Sequence, residues 1–339
     1  MTTIEQADRS ADPAVVAEAE RAVDRIAAAR RSIRKVIFGQ ESVIDHAFVT
    51  ILAGGHGLLV GVPGLAKTKL VETMGTVLGI STNRVQFTPD LMPSDILGSE
   101  VLDQNSDGTR SFRFVRGPIF TQLLMADEIN RASPRTQSAL LQAMQEYHVT
   151  ITGARHDLQR PFHVLATQNP LEQEGTYPLP EAQLDRFLMQ IDVPYPERDA
   201  ERRILIETTG LEEAEAETVL DEAELMDLQR LVRRLPVGDS VLEAILELVR
   251  ATRPDPDSEN GENPAARLIA WGAGPRASQA LTLAVRARAL IDGRLAPSVD
   301  DVVALAEPVL QHRMALTFAA RADGKSVRDV IGEVKVKLG

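Results

Sequence analysis

The sequence predicts an α/β domain built on a parallel sheet, followed by a smaller all-α domain. Between residues 57 and 195, short apolar runs bounded by polar or turn residues alternate with helical patterns. Such runs are typical of buried parallel strands, and they occupy residues 58–60, 123–126 and 163–166. After residue 196 the chain is rich in Ala, Leu, Glu and Arg at helical spacing. We therefore place the α/β domain at residues 36–195 and the helical domain at residues 196–339.

An amphipathic helix precedes the α/β domain and forms an N-terminal segment, residues 1–35. Apolar residues recur at alternating spacings of four and three from Val15 to Ile33, which predicts a helix over residues 13–37. Asp12 before Pro13 is a favourable N-cap followed by a first helical residue. We expect this helix to pack against the rest of the chain.

Two hairpins are predicted to interrupt the α/β domain, near residues 99–115 and 148–161. The first pairs residues 100–102 with 111–114, and its turn covers Asn105 to Gly108. Asp107 followed by Gly108 is a strong turn signal, whereas the second hairpin has a weaker one around Gly153.

The helical domain shows two apolar stripes at helical spacing, and each predicts one amphipathic helix. The stripes consist of Leu225, Leu228, Leu231 and Val232, and of Leu242, Ile245, Leu246 and Val249.

The composition limits the classes of function. The 339 residues carry a net charge of −12 and include no cysteine, so disulfides and thiolate metal sites are impossible. An acidic surface repels phosphate backbones, so nucleic acid is not expected as a partner, and only a local basic patch would change this. The six histidines show no metal-binding spacing, and His163 is expected to lie in the core or at a strand edge.

We expect a cytoplasmic protein with no transmembrane segment. The N-terminus lacks the basic-then-apolar pattern of a signal peptide. Residues 47–66 carry no charge and are long enough to span a bilayer, but they contain several glycines and a proline. A helix end, a turn and a short buried strand explain this stretch better.

A glycine-rich loop follows the first predicted strand and opens a helix that runs to about Leu78. Backbone N–H groups of such a loop, with a helix N-terminus, bind phosphate oxygens. Lys67 would reach the β- and γ-phosphates of ATP, and Thr68 would give its hydroxyl to Mg²⁺. The pattern G-x-x-x-x-G-K-[ST] departs only at Ala66, which is mild if position 66 is already helical. The alternative is an ordinary turn before a helix. The predicted phosphate-binding residues are Gly61, Val62, Pro63, Gly64, Leu65, Ala66, Lys67, Thr68 and Lys69.

Two adjacent acids, Asp127 and Glu128, follow the second apolar run. Neighbouring carboxylates at the end of a buried strand are costly without a cation or hydrogen-bond donors nearby. We expect Asp127 to orient the magnesium shell and Glu128 to polarise the water that attacks the γ-phosphate. Many strands end in solvent-exposed acids, so the pair alone is weak evidence for a nucleotide site. It becomes strong evidence because a phosphate-binding loop lies about sixty residues upstream.

Asn169 follows the third apolar run and precedes Pro170. At the tip of a neighbouring strand its side chain could hydrogen-bond the attacking water or the γ-phosphate. The alternative is an Asn that forms a turn before proline.

These motifs resemble those of MoxR-family ATPases of the AAA+ superfamily, which commonly have Ala before the loop lysine. Besides the loop, the resemblance rests on residues 86–95 (QFTPDLMPSD), 127–132 (DEINRA), 166–170 (ATQNP) and, most specifically, 172–187 (EQEGTYPLPEAQLDRF). It covers roughly residues 30–320. It implies an α/β P-loop NTPase core of the AAA+ type with a parallel sheet, followed by a smaller all-α lid domain.

The resemblance also implies roles for residues that the motifs alone do not explain. Asn169 takes the sensor-1 position, Arg186 resembles the arginine finger that reaches a neighbouring subunit's ATP, and Arg276 takes the sensor-2 position in the lid. The two hairpins would face the pore of a ring. The alternatives are a salt-bridging helix residue for Arg186 and a residue after a turn for Arg276. The segment that would pack near adenine includes Phe38, Gly39 and Gln40.

The resulting hypothesis is a Mg-ATP-dependent ATPase that forms a homo-oligomeric ring, expected to be a hexamer. Its role would be chaperone-like, in the maturation or assembly of a protein client, and the resemblance implies a partner with a von Willebrand factor A domain. One alternative is a chelatase-type motor subunit. A nucleic-acid motor or loader is disfavoured by the net charge, and a nucleotide switch without turnover is disfavoured by Glu128.

Overall fold

The structure is a computed structural model and describes residues 13–104, 110–171, 175–210, 214–254 and 264–336. The N-terminal helix α1 runs from Pro13 to Arg34, three residues shorter than predicted. The predicted cap, Asp12, lies outside the described residues. Ile26 and Ile33 of α1 are fully buried, so this helix packs into the core as expected.

The described residues of the α/β half contain nine strands, five of which form a parallel sheet in the order β2-β5-β8-β1-β9. The strands are β1 (Gly57–Val60), β2 (Thr82–Gln86), β3 (Gly98–Gln104), β4 (Arg110–Arg116), β5 (Leu123–Asp127), β6 (His148–Ile151), β7 (Ala154–Asp157), β8 (His163–Gln168) and β9 (Met189–Asp192). The three predicted strands are the central ones, β1, β5 and β8. Strands β2 and β9 were not predicted, because these edge strands lack a continuous apolar run. In β2 only Val85 is buried, and in β9 buried and partly buried residues alternate.

Both predicted hairpins are present. In the first, β3 pairs antiparallel with β4 from Gly98 opposite Arg116 onwards, and its turn at residues 105–108 lies outside the described residues. In the second, β6 pairs with β7. The hairpins touch each other, since the rings of Phe114 and His156 stack at 3.9 Å.

Thirteen α-helices are described, and those of the α/β half flank the sheet. They are α1, α2 (Glu41–Leu52), α3 (Lys67–Leu78), α4 (Pro93–Leu97), α5 (Pro134–Glu146), α6 (Glu181–Leu184), α7 (Arg198–Thr208), α8 (Glu222–Arg234), α9 (Asp239–Ala251), α10 (Pro275–Ile291), α11 (Val299–Leu310), α12 (Phe318–Ala322) and α13 (Val327–Lys335). The uncharged stretch at 47–66 is the end of α2, a turn and β1, as predicted. Over the described ranges, none of these helices is long and apolar enough to cross a membrane.

The second half of the chain is helical, with one departure from the all-α prediction. A short antiparallel pair, β10 (Ile269–Trp271) and β11 (Ala315–Leu316), lies between its helices. The predicted stripe of α8 is buried in full. The predicted stripe of α9 is partly wrong, because Leu242 and Leu246 are exposed while Val241 and Leu248 are buried. Helix α9 is therefore rotated relative to the expectation.

The two faces of the sheet pack against separate cores. Because successive strand residues point to opposite faces, Leu59 and Leu165 join the core that contains α1, α3 and the helical half. Leu58 and Leu124 face the other core, with α5 and the second hairpin. The parallel sheet thus aligns the ends of five strands between two cores.

Three histidines, His56, His163 and His312, are buried near the amino-terminal ends of the sheet strands. His56 accepts the Val164 N–H and hydrogen-bonds the Met144 carbonyl oxygen, which requires a neutral ring. Burial lowers the pKa of His56 to about 3 and that of His163 to about 4. Burial also holds the pKa of His312 well below its usual value. These side chains are core residues, as expected for His163.

We expect the protein to lose stability as the pH falls below about 6.5. The unfolded chain binds protons on these histidines while the folded chain does not, so the stability is fully present above pH 6.5 and decreases towards pH 4. The loss is about 1.4 kcal/mol per pH unit for each histidine that stays neutral. Urea unfolding between pH 7 and 5 measures this slope. It should become shallower in His56→Gln; a pH-independent stability would contradict the prediction.

Candidate active site

The glycine-rich loop connects the end of β1 to the start of α3, as predicted. Helix α3 starts at Lys67, and its N-cap residue is an alanine, whose side chain cannot accept the first N–H groups. Lys67 Nζ donates to the carbonyl oxygens of Gly61 (2.6 Å) and Val62 (2.7 Å). Burial lowers the pKa of Lys67, and Asp127 and Glu128 act in the opposite direction. The ammonium and the uncapped N–H groups together suit a phosphate.

The backbone at Ala66 is left-handed, with φ 54° and ψ 21°. The expectation that position 66 is already helical is therefore wrong, since it precedes the helix in a conformation that favours glycine. An L-residue in this region costs roughly 1–2 kcal/mol relative to right-handed backbone. The departure from the glycine pattern is a source of local strain.

Replacing Ala66 with Gly should raise the free energy of unfolding by up to about 1 kcal/mol, because glycine adopts a positive φ without a Cβ clash. The matched control is Ala304→Gly, an exposed position inside α11. There glycine should lower the stability by roughly 0.5–1 kcal/mol. Urea unfolding of both variants measures the difference; equal losses at the two sites would contradict the assignment of strain.

Asp127 lies at the end of β5 with both carboxylate oxygens engaged. Its Oδ2 accepts from Arg84 Nη2 (2.6 Å) and Nε (3.2 Å), and its Oδ1 accepts from the Thr167 hydroxyl at 2.5 Å. The residue is 8% exposed. The carboxylate is therefore buried, but both of its oxygens accept hydrogen bonds. These donors offset the free-energy cost of burying a carboxylate at the end of a strand.

Glu128 directs its carboxylate towards the same side. Its Oε2 accepts from Gln86 Nε2 (2.7 Å) and Arg131 Nη1 (3.0 Å), and neither contact uses Oε1. The backbone of Glu128 is left-handed, with φ 55° and ψ 50°. A non-glycine residue in this region is unusual and is often part of a functional site.

Four residues that contact the acids were missed in the sequence. They are Arg84, Gln86, Arg131 and Thr167. Arg84 and Gln86 alternate along β2 and so share one face, but this polar edge strand was not recognised. Thr167 lies in β8, one residue after the third predicted run and two residues before Asn169, and no local pattern indicated its contacts.

Asn169 forms a turn. Its Oδ1 accepts the Leu171 N–H at 3.1 Å, the behaviour that an Asn before proline predicts. The side chain is also buried and lines the same cavity as Lys67 and Glu128. The turn uses only the amide oxygen, so the amide NH₂ group can still donate to a ligand.

Two neighbouring cavities meet at the glycine-rich loop. The loop cavity, of about 480 Å³, is lined by residues 63–69, Arg84, Gln86, Asp127, Glu128, Thr167 and Asn169. The side cavity, of about 290 Å³, is lined mainly by apolar groups of Val36, Ile37, Phe38, Leu65 and Ile204. Residues 64–66 and Lys69 border both. A polar cavity beside an apolar one fits a ligand with a charged end and a flat apolar end.

Gly39 and Gln40 shape the side cavity. Gly39 has φ 68°, and a Cβ there would lie 2.1 Å from the Cβ of Ala200 in α7. Only glycine therefore permits this approach of α7. Gln40 Nε2 donates to the Leu65 carbonyl oxygen at 3.0 Å and ties the segment to the loop. Phe38 and Gln40 line the cavity directly.

Arg186 and Arg276 lie together in a third cavity, the arginine cavity, of about 350 Å³. Arg186 precedes β9, whereas the loop follows β1, and these strands run parallel with Gly57 opposite Met189. The arginine cavity therefore lies at the amino-terminal ends of the strands and the loop at their carboxy-terminal ends. The two sites are about 13 Å apart along the strands, at roughly 3.3 Å per residue. Burial and the neighbouring Arg276 lower the pKa of Arg186.

No carboxylate among the described residues forms an ion pair with Arg186. Arg276 forms a long ion pair, in which its Nη1 lies 3.7 Å from Asp185 Oδ2. The salt-bridge alternative for Arg186 therefore has no support within these ranges. Two neighbouring guanidinium groups in a cavity suit an anion from elsewhere.

The loop cavity suits a magnesium ion bound together with a phosphate. Thr68 and Asp127 both line it and offer hard oxygen donors. The described residues contain no cluster of three or more His, Asp or Glu that could hold a metal alone. Mg²⁺ commonly takes one or two protein oxygens and completes its shell with water and phosphate, so this donor set fits.

Comparison with known proteins identifies the family. The chain is 42% identical over 302 residues to Chaperone MoxR1 of Mycobacterium tuberculosis, covering 89% of this chain and 78% of that protein. The chain belongs to the MoxR family of AAA+ ATPases. It is also 33% identical to MoxR of Paracoccus denitrificans, over 86% of this chain and 88% of that protein.

Family profiles and a solved structure agree with this MoxR assignment. Residues 56–189 match the ATPase family associated with various cellular activities (AAA), and residues 262–334 match the AAA lid domain. A crystal structure from Cytophaga hutchinsonii superimposes with a TM-score of 0.86 at 36% identity, covering 94% of this chain and 96% of that one. The predicted fold class, a parallel-sheet AAA+ core with a helical lid, is confirmed.

Proposed function

We propose that this MoxR-family chain hydrolyses Mg-ATP at the loop cavity and works in a ring that remodels a protein client. Residues 36–195 would be the nucleotide-binding domain and residues 196–339 the lid. The observation that carries the proposal is the convergence of Lys67, Thr68, Asp127 and Glu128 in one cavity, beside an apolar cavity of the size and character that a base needs.

The geometry supports a division of labour between the loop and the acids. The uncapped start of α3 and Lys67 would hold the phosphates. Glu128, whose Oε1 is not used by Gln86 or Arg131, would orient and polarise the attacking water. Asn169 would donate its amide to that water or to the γ-phosphate. Bound Mg²⁺, held by Thr68 and Asp127, would neutralise charge on the β- and γ-phosphate oxygens.

Replacing Lys67 with Ala should sharply weaken ATP binding, because the ammonium that lies against the Gly61 and Val62 carbonyl oxygens of the loop is lost. We expect a loss of about 10-fold or more, the value of one charge-assisted contact of roughly 1.5–3 kcal/mol. Isothermal titration calorimetry measures this. Lys325→Ala, on the surface between α12 and α13, is the control and should bind normally. Unchanged affinity in Lys67→Ala would overturn the loop assignment.

The ring is proposed because the arginines of the arginine cavity lie too far from the loop cavity of the same chain to contact a phosphate bound there. The two lie at opposite edges of the sheet, and Arg186 and Arg276 face no strong carboxylate partner among the described residues. A neighbouring copy could supply the missing anion as the γ-phosphate of its ATP. The number of subunits that we propose is six.

The client is proposed to be a protein. One relative is named as a chaperone. On the first hairpin, Leu102 and Phe112 are 55% and 70% exposed, and such apolar groups suit contact with a polypeptide. A partner with a von Willebrand factor A domain and a cytoplasmic location are part of this proposal, and so is the maturation of a client complex.

A nucleic-acid motor is the second candidate, because β4 carries Arg110, Arg113 and Arg116 beside the exposed Phe112. Basic and aromatic residues together suit single-stranded nucleic acid. However, Arg113 pairs with Asp103 at 3.0 Å, and Arg116 lies over a phenylalanine ring, which weakens the patch. Hydrolysis stimulated by single-stranded DNA at physiological salt would favour this candidate over the protein remodeller.

A further inference from the structure

The ladder between β5 and β8 ends one residue before the catalytic acids. Its last pair is Ala126 opposite Ala166. The next N–H group on this side, that of Glu128, donates to the side-chain hydroxyl of Thr167 at 2.9 Å instead of to a backbone oxygen. A side chain therefore replaces a ladder partner where the chain leaves the strand and enters the left-handed conformation of Glu128.

The same hydroxyl also contacts the other acid. Thr167 Oγ1 donates to Asp127 Oδ1 at 2.5 Å. A hydroxyl has a single proton, and a carboxylate ion-paired with Arg84 can only accept it. The direction of both hydrogen bonds is therefore determined: Thr167 accepts from Glu128 and donates to Asp127.

The surroundings leave this hydroxyl no other arrangement. Thr167 is 1% exposed, and its β-branched side chain has few rotamers in a strand. Arg84 holds the second oxygen of Asp127 at 2.6 Å, so the carboxylate is gripped from both sides. Asn169, two residues further along, lines the same cavity as Thr167.

We propose that Thr167 is the positioning residue for both acids. Its single hydroxyl orients the Asp127 carboxylate towards the metal site. The same hydroxyl fixes the Glu128 backbone, so that the Glu128 carboxylate can orient the attacking water. This inference rests on the proposed Mg-ATP hydrolysis. The Thr167 hydroxyl makes its two hydrogen bonds to protein groups, so its loss should impair metal use and turnover while leaving metal-free nucleotide binding intact.

Two comparisons isolate the hydroxyl of residue 167: threonine with valine, and serine with alanine. Thr167→Val keeps the shape of threonine without the hydroxyl, and Thr167→Ser keeps the hydroxyl without the methyl group. Thr167→Ala differs from Thr167→Ser by the hydroxyl alone and tests the same point if the valine variant does not fold. Thr50→Val is the control, because Thr50 is equally buried but its hydroxyl bonds only the His46 carbonyl oxygen within α2.

Two measurements are made on each variant: affinity for a fluorescent ATP analogue with and without Mg²⁺, and steady-state hydrolysis over a range of Mg²⁺ concentrations. In Thr167→Val and Thr167→Ala we expect unchanged affinity without Mg²⁺. Turnover and the metal-dependent gain in affinity should each fall by roughly 10–100-fold, the usual effect of removing a group that orients a metal ligand. Thr167→Ser and Thr50→Val should behave as the wild type.

The opposing results are distinct. If Thr167→Val and Thr167→Ala retain wild-type turnover and Mg²⁺ dependence while Glu128→Gln is inactive, the role of Thr167 is wrong and the proposed function stands. If Thr167→Ser loses as much as Thr167→Val, packing of the methyl group matters and the role of the hydroxyl is wrong. If the wild type itself hydrolyses no Mg-ATP, the proposed function and this inference fall together.

Discussion

Replacing Glu128 with Gln is expected to leave ATP binding intact and to reduce turnover by about 10²–10⁴-fold, the usual contribution of a positioned general base. The amide keeps the size of the side chain and can still bond Gln86 and Arg131. It cannot accept a proton from water or polarise it as a carboxylate does. Only the chemical step should therefore suffer.

Calorimetry gives the affinity, and phosphate release gives the turnover of this variant. Glu72→Gln is the matched control, because Glu72 is an exposed carboxylate on α3 that does not line the loop cavity. It should hydrolyse ATP at the wild-type rate. Wild-type turnover in Glu128→Gln would show that another residue positions the water.

The same variant can identify the client. A ring that binds ATP without hydrolysing it should hold its client longer, so affinity-purified Glu128→Gln protein is compared with Lys67→Ala protein by mass spectrometry. Proteins enriched only with the Glu128→Gln variant are the candidate clients. Enrichment of nucleic acid instead of protein would favour the second candidate function.

Replacing Arg186 with Ala is expected to abolish most turnover without affecting ATP binding. In the proposed ring, a guanidinium contributed by a neighbouring subunit would stabilise the charge that builds on the γ-phosphoryl oxygens, and such arginines contribute roughly 10³–10⁵ in rate. We expect the lower part of this range, because Asn169 would already supply some stabilisation. Arg21→Ala, an exposed arginine on α1, is the control and should retain full activity.

Mixing two inactive variants tests the contribution in trans. Glu128→Gln subunits have an inactive site but an intact Arg186, whereas Arg186→Ala subunits have an intact site but no arginine to donate. Mixed rings should regain activity where a Glu128→Gln subunit donates its arginine to an Arg186→Ala site. The trans assignment is wrong if no activity returns despite verified co-assembly. It is also wrong if the specific activity of the wild type stays constant on dilution to monomers.

Local sequence was sufficient for much of the site. The loop from Gly61 to Thr68 and the acids Asp127 and Glu128 are contiguous motifs, and each follows an apolar run that must be a buried strand. Their roles follow from residue type and from position at a strand end, so no distant contact was needed to predict them. Residue 66 is the exception, since its left-handed backbone depends on how the loop joins α3.

The contacts between elements were decided only by the tertiary structure. The strand order β2-β5-β8-β1-β9 is not the order in the chain, so it places Arg84 and Thr167 on either side of Asp127 although they lie 43 and 40 residues away. The parallel direction of β1 and β9 places Arg186 at the edge opposite the loop. The sequence by itself predicted which residues would bind phosphate and where the acids lie, because these predictions depend on contiguous motifs at strand ends. Which side chains hold the acids, and which site Arg186 cannot reach, depend on long-range strand pairing that no local pattern encodes.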